Sequence, residues 1–221
     1  MSASLGHIDT WLFDLDNTLY PADSGIMRQV EIRMTEFVMK VTGLEREEAY
    51  RLQKRYLAEH GLTLGGLIAD HGVDPVEFHA HVHDISLDAL AHDAELLAAL
   101  ERLPGRRIIF TNADGGHAER VLARLGLSHL FPEVFHIHSF GFAPKPSPTG
   151  FERMAAEHGV DPARTAFFED SERNLAPAAA LGMTTVLVGD HALASTAPFV
   201  HHRTPRLAPF LATAHLKETA A

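Results

Sequence analysis

The residues best able to do chemistry in this chain sit where short apolar runs stop. Ile8 to Phe13 ends in Asp14-Leu15-Asp16-Asn17-Thr18, Arg107 to Phe110 in Thr111-Asn112, and Thr165 to Phe168 in Glu169-Asp170-Ser171. Between the last two, Val134 to His138 is followed by a Gly- and Pro-rich loop that holds Lys145. Side chains two apart on extended backbone point the same way, so Asp14 and Asp16 can share one side of their strand end. Two carboxylates held close repel each other unless one keeps a proton or a cation lies between them. A hard divalent ion resolves the repulsion, and Mg2+ typically takes one or two carboxylates and completes its shell with water and substrate phosphate. Asp170, with Glu169 beside it, supplies further negative charge for such an ion. The competing reading of Asp14 and Asp16 is a strand-to-helix turn with Asp and Asn as caps, and it loses ground once the other three sets are counted.

Thr111 and Asn112 would open a helix, where a hydroxyl and backbone amides can hold a phosphate oxygen. The alternative is a plain helix cap with no ligand. Lys145 lies in Ala143-Pro144-Lys145-Pro146-Ser147-Pro148, whose prolines restrict the backbone. A lone loop lysine is ordinarily just solvated, but its place after the third apolar run makes it the candidate for neutralising phosphate and the Asp14 carboxylate. In an open parallel sheet, ligands bind beyond the carboxyl ends of the strands. All four sets are therefore expected to meet at one edge of a sheet.

That edge exists only if the apolar runs are strands. Thr184 to Val188 is a fifth run of the same kind, and helix-like spacing over Ala118 to Leu125 and Thr149 to His158 separates the later runs. Gly126 and Gly159 stand just past those two helices, where a C-cap glycine is expected. Strands alternating with helices of this length imply βαβ units, hence an α/β fold with an open, Rossmann-like parallel sheet covered by helices on both faces. From about Pro21 to Asp84 the alternation breaks. Ile26, Val30, Met34, Phe37, Val38 and Val41 form one apolar helical stripe and Ala49, Leu52, Tyr56 and Leu57 another, with Gly61, Gly65, Gly66 and Gly72 as punctuation. This reads as an all-helical domain over 21–84, inserted into a core formed by 1–20 and 85–221. Phe37 and Tyr56, at helical spacing, read as core residues of that insert.

With 221 residues, 46% of them hydrophobic, the chain can bury one substantial core and a smaller lobe. A formal charge of −10 without any Lys/Arg run argues against a nucleic-acid polymer or an anionic membrane as partner. With no cysteine, thiolate metal sites and cysteine nucleophiles are excluded. The opening residues lack a basic stretch followed by an apolar one, so a cytoplasmic protein is the expectation.

Phe13 followed by Asp14-Leu15-Asp16-Asn17-Thr18-Leu19 resembles the D-x-D-x-T signature of haloacid dehalogenase-like phosphatases. Thr111-Asn112, Lys145 before Pro146, and Glu169-Asp170-Ser171 with Asn174 match that superfamily's second, third and fourth motifs in order. The helical stretch after motif one is similar to the cap domain of one subclass. Within it, His60-Gly61-Leu62-Thr63-Leu64-Gly65-Gly66-Leu67 and Phe78 to Asp84 resemble the pyrimidine 5'-nucleotidase branch. The resemblance implies Mg2+ held by Asp14, the Asp16 backbone carbonyl and Asp170, with Glu169 acting directly or through water. It implies that Asp14 is a nucleophile forming an aspartyl phosphate and Asp16 a general acid and base. Thr111, Asn112 and Lys145 would bind phosphate, and His83 and Thr63 would face a nucleoside monophosphate such as UMP or CMP. A sugar phosphate is the alternative substrate. Asn174 departs from the pattern, since many members carry a second acid there.

Three rivals use the same scaffold. A 2-haloacid dehalogenase needs neither metal nor a second acid; a phosphomutase would pass the phosphoryl group to sugar; a binding protein would catalyse nothing. His79-x-His81-x-His83 invites a zinc reading, but on a helix only His79 and His83 share a face, and that reading is set aside.

Overall fold

The computed structural model describes residues 3–139, 141 and 143–216. Among these the chain divides into two compact units, one formed by 1–23 with 90–221 and the other by Ser24–Ala89.

The larger unit is built on strands β1 (Thr10–Phe13), β2 (Arg106–Phe110), β3 (Glu133–Phe135), β4 (Thr165–Glu169), β5 (Thr184–Val188) and β6 (His202–Thr204). They form one sheet in the order β3-β2-β1-β4-β5-β6, and every pairing is parallel. All four residues of β1 and all five of β4 are buried. Since alternate side chains point to opposite faces, such strands must be covered on both sides, as the apolar runs implied. The first four helices of the chain, between Ile26 and Val82, belong to the smaller unit. The larger unit carries α5 (Ala94–Glu101), α6 (Gly115–Leu125), α7 (Pro148–His158), α8 (Glu172–Ala180) and α9 (Leu207–Thr213), with α5 packed on α9 and α8 on β4 and β5.

Rings fill the centre of the sheet. Phe13 and Phe168 stack at 4.7 Å, while Phe151 meets Phe110 edge-on at 4.8 Å and Phe167 at 5.6 Å. The Trp11 indole N–H donates to the Pro104 carbonyl at 2.6 Å, so its one polar atom is satisfied in the core. Gly105 enters β2 with φ +82°, and a Cβ there would lie 2.0 Å from the Asp9 carbonyl oxygen. The close approach is what lets the Arg106 N–H reach Asp9 at 2.9 Å and start the β1–β2 ladder.

One strand ends earlier than the sequence implies. β3 ends at Phe135, because the chain turns immediately: Ser139 N–H donates to the His136 carbonyl and Ile137 N–H to Ala113. A sixth strand, β6, extends the sheet beyond β5.

The smaller unit holds α1 (Ile26–Thr42), α2 (Arg46–His60), α3 (Thr63–His71) and α4 (Pro75–Val82). Phe37, Val38, Ala49, Tyr56, Leu64, Leu67, Phe78 and Val82 form its core. Thr35 and Gln53, both buried, satisfy each other across α1 and α2 at 2.7 Å. Gly43, Gly61 and Gly72 end three of the helices in the left-handed conformation that glycine adopts without penalty. Among the described residues no helix is long and apolar enough to cross a membrane.

The Tyr56 ring lies directly across α3 at Gly66, where a Cβ would come within 2.2 Å of it. Gly66→Ala is expected to destabilise the protein by about 1–2 kcal/mol, overpacking outweighing the better helix propensity of alanine. Denaturant unfolding checks this, and combining the change with Tyr56→Leu should recover part of the loss; additive losses would show that the ring contact is not the cause.

Candidate active site

The register of the sheet sets where the site can lie. Phe13 is level with Ile109 on one side and with Phe168 on the other, so the chain leaves β1, β2 and β4 at neighbouring points. β1 lies beside β4, its neighbour in space but not in sequence, and that reversal of strand order opens a crevice at the carboxyl edge. Asp14 extends the ladder by one step, its N–H donating to the Phe168 carbonyl at 2.9 Å. Asn17 then takes a left-handed backbone conformation, φ 61°, which asparagine tolerates better than most residues and which turns the chain away from the strand.

Lys145 stands at the centre of the crevice, 1% exposed. Its ammonium group donates to Asp14 Oδ1 at 2.6 Å, to Glu169 Oε2 at 2.8 Å and to the Phe110 carbonyl at 2.8 Å. It also sits over the Phe110 and Phe167 rings, 5.3 and 5.4 Å from their centroids. Burial alone would lower the Lys145 pKa, but the Asp14 and Glu169 charges outweigh it and hold the group above its ordinary value. Asn112 fixes the loop that carries this lysine: its amide N–H donates to the Lys145 carbonyl at 3.1 Å and its Oδ1 accepts from the Lys145 N–H at 2.9 Å. The Asn112 side chain is thus engaged in holding Lys145, while Thr111, buried beside it, accepts from the Ala113 N–H at 3.0 Å.

Asp14, Glu169 and Asp170 present carboxylate oxygens within 4.8 Å of one another. Glu169 is fully enclosed: one oxygen accepts from Lys145 and the other from the Ser171 N–H at 3.0 Å. Burial pushes its pKa up, but Lys145 and the hydrogen bonds win and keep it below the ordinary value. The other two carboxyls are driven the opposite way. Burial, then the Glu169 charge, raises Asp14 to about 7 against the pull of Lys145. Burial with the Glu169 and Asp14 charges raises Asp170 to about 9. Three carboxylates against one ammonium leave two negative charges uncompensated when all are ionised. Asn17 Oδ1 and Asn174 Oδ1, also buried, have no hydrogen-bond partner among the described residues. An oxygen-only donor set with this surplus of charge suits a hard divalent cation.

Asp16 points to different neighbours. Its Oδ1 is 2.5 Å from the Tyr20 hydroxyl and 2.9 Å from His117 Nε2, and both of these side chains are buried. Burial and the Asp16 charge push the Tyr20 pKa up, so the hydroxyl stays a donor. Neither Tyr20 nor His117 was expected from the motifs, although each has a regular address: Tyr20 lies four residues after Asp16, and His117 stands in the first turn of α6 behind the Asp114 cap. Asp170 has two further ties, from the Asn17 amide at 3.4 Å to its carboxylate and between His191 Nε2 and its backbone carbonyl at 2.7 Å. Beside it opens a cavity of about 380 Å3 whose lining includes Tyr20, Asp23, His191 and Arg206.

Of the residues expected at the site, Asp14, Asp16, Thr111, Asn112, Lys145, Glu169 and Asp170 all fall within the larger unit, and hydrogen bonds to Lys145 link Asp14, Asn112 and Glu169. His83 and Thr63 belong to the smaller unit. Thr63 is buried and its hydroxyl donates to the Gln53 carbonyl at 3.2 Å; His83 is buried and stacks on His79 at 5.6 Å.

Comparison with known proteins agrees with the four motifs. Residues 8–182 match the family described as haloacid dehalogenase-like hydrolase. Phosphate metabolism protein 8 of Saccharomyces cerevisiae is 30% identical over 80% of this chain and 60% of its own length. Fructose-1-phosphate phosphatase YqaB of Escherichia coli is 34% identical over 41% of this chain and 54% of its own. The chain thus spans little more than half the length of the curated relatives it matches. Among solved structures, a haloacid dehalogenase-superfamily phosphatase from Thermococcus onnurineus superposes with a TM-score of 0.62 at 19% identity, covering 90% of this chain and 94% of that one. The L-2-haloacid dehalogenase RSc1362 gives 0.61 at 17%, covering 93% and 97%. The fold is shared by both, and the match over most of the length carries the assignment: this chain belongs to the haloacid dehalogenase-like hydrolases.

Proposed function

We propose that this chain is a Mg2+-dependent phosphomonoester hydrolase working through an aspartyl phosphate on Asp14. One observation carries the reading: Asp14, buried, and Asp170, partly buried, stand beside the buried Glu169 with the Lys145 ammonium among them, a charge deficit that a divalent cation would balance. The residues that would hold the ion are the Asp14 and Asp170 carboxylates and the Asp16 backbone carbonyl. Glu169, with both oxygens engaged by Lys145 and Ser171, acts in this reading on Lys145 and reaches an ion only through water. The unpartnered oxygens of Asn17 and Asn174 would orient such water. Bound there, Mg2+ supplies positive charge against the phosphoryl oxygens and relieves the repulsion among the carboxylates.

The chain's own residues then divide the work. Asp14 attacks phosphorus, splitting one hard displacement into two easier ones. Asp16 protonates the departing alkoxide and afterwards takes a proton from the water that releases phosphate, a contribution of typically about 10^2 to 10^4 in rate. Lys145 holds the Asp14 carboxylate and places positive charge beside the transferring group; the Thr111 hydroxyl and nearby amides receive its oxygens. Asn112 contributes by clamping the Lys145 backbone.

For the substrate we favour a nucleoside monophosphate, on the resemblance of the stretch around Leu62 to Gly66 to the pyrimidine 5'-nucleotidase branch, with the helical unit as the cap that carries His83 and Thr63. The name of the Escherichia coli relative favours the second reading, a sugar phosphate. The likeness to dehalogenases is one of fold; a cation site assembled by the acidic groups around Asp14 favours phosphoryl transfer over a metal-free attack on carbon.

Hydrolysis of UMP, CMP, fructose 1-phosphate and an aryl phosphate, each with Mg2+ and with excess chelator, tests the reading; turnover that persists in chelator, or halide release in its place, would sink it. Asp14→Asn is expected to lower kcat by about 10^4-fold or more while the protein stays folded. A second outcome follows from charge. A carboxyl whose pKa is raised in the folded state binds its proton more tightly there than in the unfolded chain, so the contribution to stability is full near pH 4 and is lost as pH rises through about 7 for Asp14 and about 9 for Asp170. In excess chelator the Tm should therefore fall between about pH 5 and about pH 9, Asp170→Asn should flatten the fall, and Mg2+ should raise the Tm most at the alkaline end. A Tm indifferent to Mg2+ at alkaline pH would count against the cation site.

A further inference from the structure

Asp16 can serve as acid and base only if its carboxyl faces the ester oxygen, within about 2.6–3.2 Å of the proton's destination. Carboxyl rotation about the last side-chain bond is broad and two-fold, so an aspartate in a turn does not choose a face by itself. Here two side chains from different parts of the fold choose it. Tyr20 reaches back from four residues along the chain, and His117 arrives from α6, its backbone N–H held at 3.0 Å by the Asp114 cap. Both meet the same oxygen, Oδ1, at 2.5 and 2.9 Å. An ionised carboxylate can only accept, so the Nε2 of His117 carries the hydrogen of that bond. A carboxyl oxygen has two in-plane lone pairs, and two hydrogen bonds occupy both. The His117 side chain is fully enclosed and Tyr20 is 4% exposed, so water does not compete readily for either bond.

We infer that Tyr20 and His117 are positioning residues, which fix the Asp16 carboxyl by filling Oδ1 and so make Oδ2 the oxygen that gives and takes the proton. The inference rests on the phosphatase reading. In the first step the Asp14 oxygen forms its bond to phosphorus as the ester P–O bond breaks, and the proton on Asp16 Oδ2 passes to the departing oxygen. In the second a water oxygen bonds to phosphorus as the Asp14–phosphorus link breaks, and the water's proton returns to Oδ2. Atoms and charge balance without any further reagent.

A merely structural tie and a positioning role differ in one readout. Because kcat/KM reports the chain of events up to phosphorylation of Asp14, a badly aimed acid harms alkyl phosphates, whose alkoxides need a proton, more than p-nitrophenyl phosphate, whose leaving group does not. Wild type, Tyr20→Phe, His117→Leu, His117→Gln and Asp16→Asn would be compared on both kinds of ester at saturating Mg2+, with a thermal melt for each. Tyr20→Phe and His117→Leu are expected to lose about 10- to 100-fold in kcat/KM on alkyl phosphates, through kcat rather than KM, and much less on the aryl ester. His117→Gln, which keeps an N–H donor, should regain most of the loss. Equal losses on both esters, losses that merely track the Tm, or no regain with glutamine would overturn the inference while leaving a chelator-sensitive wild type intact. Should His117→Leu not fold, Tyr20→Phe and His117→Gln carry the same comparison. A wild type that cleaves no phosphate ester removes the larger reading, and this inference with it.

Discussion

A lysine ammonium buried among carboxylates is the constraint on which the rest of this site depends. Lys145 has three hydrogens and uses them on Asp14, Glu169 and the Phe110 carbonyl, which ties together the ends of three strands and one loop. A buried ion pair is worth little for stability in itself, because desolvating both partners offsets their attraction. Removing one partner is another matter, since it strands a charge in a low-dielectric interior at a cost of about 3–5 kcal/mol. The surrounding arrangement makes sense as protection of that one contact: Asn112 clamps the lysine's backbone from both sides, and the Phe110 and Phe167 rings close off water. One ammonium does not neutralise Asp14, Glu169 and Asp170 together, and the surplus is the physical basis for expecting a metal.

Much of this could be seen in the residue order. The motif positions were legible because polar residues at the end of an apolar run are unusual, and because the parallel arrangement of such runs carries their ends to one edge. The sheet itself followed from strands whose every residue is apolar or small, such as Thr10 to Phe13. What each polar group bonds to was not legible. Asn112 was expected to face phosphate and is engaged with the Lys145 backbone; Glu169 was expected near the ion and has both oxygens taken by protein donors. Tyr20 and His117 passed unnoticed because a tyrosine in a turn and a histidine in a helix are commonplace by type, and only the fold brings them to one oxygen of Asp16. Helix α8 was obscured by Pro177 in its interior.

The comparisons show how far architecture alone can take a functional argument. A phosphatase and a dehalogenase superpose on this chain almost equally well, although they act on phosphorus and on carbon. The scaffold offers an aspartate at the end of the central strand; what is done with it depends on whether a second acid and a cation-binding group stand nearby. The glycine-rich segment of the helical unit carries a parallel lesson. A role in recognising substrate is expected of it from sequence alone, whereas Gly66 in it meets an elementary packing requirement set by the Tyr56 ring.

Strand β1 pairs with β2 through Thr10 and Arg106, and with β4 through Thr10 and Thr165. A ribosome delivers the segment bearing Asp14 before either strand that pairs with β1, since the whole helical unit comes between. The nascent strand must therefore wait, unpaired and strongly apolar, for partners that emerge about ninety and then about one hundred and fifty residues later, the kind of distant pairing that slows folding and invites aggregation. Asp14, at the end of that strand, is thus held in place by segments that lie far beyond it in the chain.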